Sequence, residues 1–226
     1  MPEIISIEKL ESPRSRGRRE DVRAASPSPR RSRVRVTLEN GEALVLRGRR
    51  ADAVTALGEG ADLPEDQYTE ILQEQRSSCM LRCGSLLGSR DYSEQRLRDK
   101  LSGAGYPGSV IEECVGKLRD AGYLNDGRYA ANYVRSHLAD RSRLRITRDL
   151  LGRGISEEDI ATAFEAAAEE SDPEELQIRQ IRRLLEKRRF DPSTADYPER
   201  QKTMAFLSRK GYSMDLIRRG MESPGV

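Results

Sequence analysis

Apolar and polar residues follow two different periods along this chain, and the change of period divides it. In "RVRVTLENGEALVL" (33–46) Val34, Val36 and Leu38 alternate with polar residues before Asn40-Gly41, and Leu44 and Leu46 stand two apart after it. Period two marks a half-buried strand, and Asn-Gly accepts positive φ at both central turn positions, so the stretch predicts a β-hairpin. Val34, Val36 and Leu38 would share one face, with Leu44 and Leu46 sharing one on the partner strand. A lone hairpin is marginal in water. It should therefore lean on "ADAVTALGEGADLPEDQYTEILQE" (51–74), which reads as two short helices around a Gly-rich turn and Pro64.

From about residue 69 the period is helical. In "GYLNDGRYAANYVRSHL" (122–138), Gly122 follows the apolar series Val115, Leu118 and suits the left-handed turn that ends a helix. Asn125 or Asp126 can then cap a new helix whose core face reads Tyr129, Tyr133, Val134 and Leu138. This joint would set the angle between two successive units.

The helical region repeats. "RLRDKLSGAGYPGSVIEE" (96–113), "RITRDLLGRGISEEDIATA" (145–163) and "KTMAFLSRKGYSMDLIRRG" (202–220) align without gaps at four columns. These are Leu101/Leu150/Leu207, Gly105/Gly154/Gly211, Tyr106/Ile155/Tyr212 and Ile111/Ile160/Ile217. The pattern predicts a helix, a glycine stop with its hydrophobic contact, and a second helix docked on the first. Ser156 and Ser213 stand where N-caps belong, with acids in the following turn. A further helix precedes each pair, at 70–88, 126–139 and 174–189. The last copy carries an insertion, "DPSTADYPE". The expected fold is mostly α: three three-helix repeats (69–124, 125–172 and 173–226) in an elongated curved array. The hairpin and short helices occupy 33–68. Residues 1–32, rich in Arg, Ser and Pro after the first ten, read as a disordered basic tail.

Composition supports small units over one large core. Of 226 residues 35% are charged and 5% aromatic, with no Trp. No run approaches the roughly 18 apolar residues of a membrane span, and "MPEIISIEKL" has no secretory-signal pattern, so a cytoplasmic location is expected. The net charge of +2 is uneven. Eight arginines against two acids between Arg14 and Arg33 leave +6 there and −4 elsewhere, so charge arguments must be local.

Little of the chain suggests catalysis. His137, the single histidine, sits near a helix C-terminus, where a cap or surface role accounts for it. No Gly-x-Ser-x-Gly occurs, and "GEG" and "GAGYPG" lack the setting and the lysine of a phosphate cradle. Cys79 and Cys83 share a helix face, but without histidine and with Cys114 distant in sequence they make a poor zinc set. They read as small buried residues on a helix seam, and an odd total argues against a disulfide framework. No cofactor or metal is expected. Basic residues do cluster: "RSRLRITRDLLGR" (141–153) has five arginines against Asp149, and "RQIRRLLEKRR" (179–189) six bases against Glu186. Either these are solvated faces balanced by nearby acids, or they meet phosphates or an acidic protein surface.

"SRDYSEQRLRDKL", "GYPGSVIEECVGKLRDAGYLNDGRYAANYV" and "RITRDLLGRGISEEDI" resemble the RecX family, regulators of the bacterial recombinase RecA. The likeness runs from about Leu81 to Phe164 and more weakly through "FLSRKGYSMDLI". The chain departs from the family pattern at Arg96 and in "DRSRLR" (140–145). The resemblance implies a non-enzymatic negative regulator lying along the RecA–DNA filament; the repeat array, the odd cysteine and the lack of a zinc set predict a monomer. Such a regulator would oppose ATP hydrolysis, strand exchange and coprotease activity, and so modulate DNA repair, recombination and the SOS response. Contacts chosen by charge and repeat position are Arg90, Arg128, Arg135, Arg141, Arg145, Arg148, Arg182 and Arg183. The alternative is a direct DNA binder using helix-turn-helix-like repeats. Against it, the positions after each glycine turn are acidic: Glu112 and Glu113, and Glu157, Glu158 and Asp159. Weak binding of single- or double-stranded DNA fits either reading.

Overall fold

The computed structural model describes residues 1–10, 33–170 and 172–222. The chain divides into two compact units, Met1–Arg90 with Leu97–Tyr123 and Asp91–Arg96 with Leu124–Val226. The first contains a three-stranded antiparallel sheet in the order β1 (Ile4–Lys9), β2 (Arg33–Leu38), β3 (Ala43–Arg47). Helix α1 (Arg49–Leu57) follows, then the first helical repeat of α2 (Glu65–Leu87), α3 (Glu94–Ala104) and α4 (Gly108–Asp120). The second repeat is α5 (Asp126–His137), α6 (Arg143–Leu151) and α7 (Glu157–Glu170); the third is α8 (Pro173–Lys187), α9 (Tyr197–Arg209) and α10 (Met214–Glu222).

The hairpin forms in the register its alternation requires. Val34 pairs with Leu46 and Val36 with Leu44. These side chains and Leu38 are buried against Ala51 and Val54 of α1 and Ile71 of α2. Three details differ from expectation. The turn is a residue longer than a two-residue loop: Gly41 N donates to the Leu38 carbonyl at 2.9 Å with Gly41 at φ 79°, while Asn40 keeps negative φ. Asn40 uses its side chain instead, accepting from Glu42 N at 3.0 Å. Second, the first residues are not tail. Ile4, fully buried, anchors β1, which pairs along β2, and Ile4 N and Gly60 N close a loop onto Ala61 and Ile4 carbonyls. The rest of the expected tail, 11–32, lies outside the described residues. Third, the second short helix and the helix expected at 70–88 are one. After Pro64 no proline interrupts the sequence as far as Leu87, so α2 runs unbroken.

The repeat columns do what their spacing requires. Leu101, Leu150 and Leu207 are fully buried, as is Ile217, with Ile111 and Ile160 nearly so. Each glycine has positive φ: 91°, 79° and 93° for Gly105, Gly154 and Gly211. In every copy the glycine N–H bonds the carbonyl three residues back and the next N–H reaches the leucine five back, as Ile155 N to Leu150 O at 3.2 Å. That is the paired Schellman closure, which satisfies carbonyls at a helix end. Asn125 caps α5, accepting from Arg128 N at 2.7 Å. Ser156 caps α7, with Asp159 N donating to its Oγ at 3.0 Å. Val134 and Leu138 of α5 are buried with Ile146, Leu150 and Phe164, and Tyr129 and Tyr133 pack on that core.

The same glycines admit a neighbour. A Cβ on Gly154 would stand 2.4 Å from Gln95 Cβ, and one on Gly211 would stand 2.8 Å from Ser142 Oγ. Beside each contact lies a buried serine. Ser93 Oγ donates to the Arg153 carbonyl at 2.7 Å and accepts from Arg96 N; Ser142 Oγ donates to the Lys210 carbonyl at 2.6 Å and accepts from Arg145 N. One hydroxyl thus caps its own helix and fastens the residue before the next repeat's glycine. Cys79 and Cys83 of α2 and Cys114 of α4 are all buried free thiols. Hydrogen bonding from Cys83 and burial push the Cys79 thiol far up, and burial raises Cys114. Among the described residues no group of three His, Cys, Asp or Glu is placed to hold a metal ion.

A basic cleft as the candidate functional site

Within the second unit the second joint opens into a cleft of about 680 Å³. One wall is the segment entering α6 and the outer face of that helix. The others are α8 and the turn between α9 and α10. Seven bases line it, Arg141, Arg145, Arg148, Arg183, Lys187, Arg209 and Lys210, against one acid, Asp140. Leu144, half exposed, and Leu184 supply apolar surface among them.

The walls are held by buried polar contacts. Gln180 is nearly sealed from solvent; its Nε2 donates to the Leu138 carbonyl at 2.5 Å and its Oε1 accepts from Tyr212 Oη at 2.9 Å. Burial pushes the Tyr212 phenol up to about 12, so it stays a donor at neutral pH. Together with the Ser142–Lys210 bond, this fixes the backbone carrying the cations.

The cations differ in how far they are already neutralised. Asp149, with 15% of its side chain exposed, takes Arg141 at 2.8 Å and Arg145 at 3.2 Å. Burial pushes the Asp149 carboxyl up, but Arg145, Tyr133 and Arg141 outweigh it and hold it below the ordinary carboxylate value. Tyr133 completes this knot, with Arg141 Nη1 donating to its hydroxyl at 2.6 Å and Arg153 stacked 4.4 Å above its ring. His137 stacks on the same ring and bonds the Tyr133 carbonyl, consistent with the structural role expected of it. Arg183 reaches Asp140 only at 3.8 Å. Among the described residues no carboxylate pairs with Arg148, Lys187, Arg209 or Lys210. These four are the cleft's uncompensated charge.

Of the residues selected by sequence, Arg141, Arg145, Arg148 and Arg183 converge here. Arg182 does not: it lines a separate cavity with Leu185 and Phe190, its Nε buried without a partner among the described residues. Arg128 and Arg135 lie exposed on α5, outside the cleft, and Arg90 follows α2 in the first unit. Arg209 and Lys210 were missed. The repeat alignment held the signal for Lys210, which precedes the glycine as Arg153 does.

Family models match all three repeats. They are described as the first, second and third three-helix domains of RecX, and match residues 79–118, 125–163 and 174–221. The chain is 33% identical over 152 residues to regulatory protein RecX of Trichlorobacter lovleyi, covering 66% of this chain and 96% of that one. The chain belongs to the RecX family. A second RecX relative, from Chromohalobacter salexigens, is 31% identical over 60% of this chain and 86% of its own. Among solved structures, a crystal structure of regulatory protein RecX superposes with a TM-score of 0.60 at 22% identity, covering 99% of this chain and all of that one. RecX from Lactobacillus salivarius gives 0.57 at 24% identity over 66% of this chain and 96% of that one. These RecX structures share the fold. Ser142, within "DRSRLR" (140–145), caps α6 and fastens the cleft's joint.

Proposed function

We propose that this chain is a negative regulator of the RecA recombinase, a non-enzymatic protein that binds the RecA–DNA filament and opposes its ATPase, strand-exchange and coprotease activities. RecX membership supports the partner. The observation that carries the contact surface is the fixed basic cleft, where four cations lack carboxylate partners among the described residues. A filament of nucleic acid and protein presents dense anionic groups, and a preorganised cationic cleft gains from releasing their counterions.

The acids after the glycine turns argue against a recognition helix at those positions. Glu112 is engaged by Arg98 at 2.9 Å and Glu113 by Arg76 at 2.6 Å, so in the first repeat they serve as ion-pair partners. The test is RecA-driven ATP hydrolysis on single-stranded DNA, titrated with the wild-type chain and with Arg148→Glu/Lys187→Glu. Inhibition below one copy per RecA subunit is expected from the wild type. The double variant should need at least tenfold more protein, with unchanged helix content by circular dichroism. Unaltered ATPase at saturating protein would overturn the proposal. Inhibition that merely tracks affinity for bare DNA would overturn it in favour of direct DNA binding.

A further inference from the structure

The first unit contains a second cationic cleft, about 530 Å³, lined by strand β3, helix α2 and the turn that ends α3. Arg33 and Arg47 are direct cross-strand partners in the β2–β3 register. Like charges placed opposite each other on neighbouring strands oppose pairing, yet both side chains line one cleft, joined there by Arg82 of α2. The acid lining it, Glu74, is occupied: Arg50 holds it at 3.0 Å while also binding Glu70 at 2.6 Å. Among the described residues no carboxylate pairs with Arg33, Arg47 or Arg82, and Arg33 Nε is buried without a hydrogen-bond partner. The nearby hydroxyls of Ser78 and Tyr106 bond each other at 3.0 Å, and Gln75 Nε2 is committed to the Val45 carbonyl. Donor capacity toward a ligand therefore rests with the guanidinium groups.

We propose that Arg33, Arg47 and Arg82 form a binding site for a phosphate group on a nucleotide-sized ligand. Three guanidinium forks converging from two strands and a helix suit a multiply charged tetrahedral oxyanion, whose oxygens accept from several directions; a carboxylate offers only two oxygens. The volume lies within the roughly 300–1,000 Å³ of small-ligand sites. The phosphate would come from a free nucleotide or from a short stretch of nucleic acid. The site lies wholly in the first unit and stands or falls independently of the proposed action on RecA.

The test uses the full chain with three probes: sodium triphosphate, ATP, and a single-stranded oligothymidylate four nucleotides long. Binding is followed by calorimetry and by the ligand-induced rise in Tm. Binding by at least one probe is expected, weakened at least tenfold in Arg47→Gln/Arg82→Gln and less than twofold in Arg148→Gln/Lys187→Gln. Binding by triphosphate and ATP identifies a free nucleotide as the source, and binding by the oligonucleotide alone identifies a strand. Without ligand, Arg47→Gln should raise Tm, because it removes one of two facing like charges; an arginine retained for packing would lower it. The proposal is overturned if no probe binds, or if Arg47→Gln/Arg82→Gln binds as the wild type does.

Discussion

Three glycines separate two physical effects that are usually mixed. Gly152 lies at φ −65° in the C-cap of α6, where a Cβ would meet only the helix's own carbonyls, at 3.3 Å from Arg148 O. Gly122 has φ +75° with nothing within 4 Å of a Cβ. Gly154 has φ +79° and would also place its Cβ 2.4 Å from Gln95 Cβ and 2.9 Å from Gln95 Cγ. Replacing glycine by alanine stabilises by about 0.4–1 kcal/mol through the unfolded chain. Left-handed backbone costs an alanine about 1–2 kcal/mol, and forcing extra carbon into a packed contact costs about 1–3 kcal/mol. Gly152→Ala should therefore fall within about 0.5 kcal/mol of neutral, and Gly122→Ala should cost about 0.5–1 kcal/mol, being strained but unobstructed. Gly154→Ala should cost about 2–4 kcal/mol, because the clash adds to the strain and Gln95 meets it with Cβ, which cannot rotate away. Urea unfolding monitored at 222 nm measures all three against the wild type. Equal losses for Gly122→Ala and Gly154→Ala would show that Gln95 does not press on the turn, and the joint as described would be wrong. Equal losses for Gly152→Ala and Gly154→Ala would refute the repeat register itself.

Two further outcomes concern the walls of the basic cleft. Tyr212 is an acid whose folded titration is raised to about 12 by burial. Its contribution is complete below the ordinary tyrosine value of about 10 and is lost as pH rises from there to about 12, a change of roughly 2–3 kcal/mol. Thermal melts across that window should show the wild type losing its advantage over Tyr212→Phe, and a constant difference would refute the buried phenol. Asp149 titrates below its ordinary value, so its contribution is present above that range and lost as pH falls through the folded carboxyl's titration. Asp149→Asn should cost about 1–3 kcal/mol at pH 7, with a deficit that shrinks on acidification; a pH-independent deficit would mean that the two arginines do not depend on its charge.

What could be read from the sequence follows the range of each physical constraint. The glycine columns were legible because a left-handed residue at a helix end is a local demand, and three copies exposed it. The hairpin face was legible because period two is local as well. Strand β1 was not, since its partner lies beyond residues 11–32 and "IISIEK" buries Ile4 while leaving Ile5 half exposed, with a register shift between Ile4 and Ser6. The candidate contacts were partly legible. Arg183 and Lys187, four apart, face the cleft together, but the neighbouring Arg182 turns to another cavity. A helical wheel tells which residues share a side, not which neighbour that side will meet. Arg209 and Lys210 come to the cleft only because the α9–α10 turn docks beside Ser142, a tertiary fact no single segment contains.

That docking also sets the two serine–glycine joints apart in what becomes of their basic residues. Both joints fasten the carbonyl of a basic residue, Arg153 in one and Lys210 in the other. The side chain of Arg153 is absorbed: it stacks on Tyr133 and donates to the Asp149 carbonyl at 2.5 Å, becoming part of the second repeat's own structure. Lys210 has no carboxylate partner among the described residues, and its ammonium lies 5.2 Å from the Phe206 ring, a weak and exposed attraction. Beside it Arg209 is equally uncompensated, and across the gap Arg148 and Lys187 add like charge. Such a concentration raises the energy of the free protein and falls when an anion enters. The same backbone device is therefore spent on stability where its basic residue finds a ring and a carbonyl, and leaves an uncompensated cation where it does not.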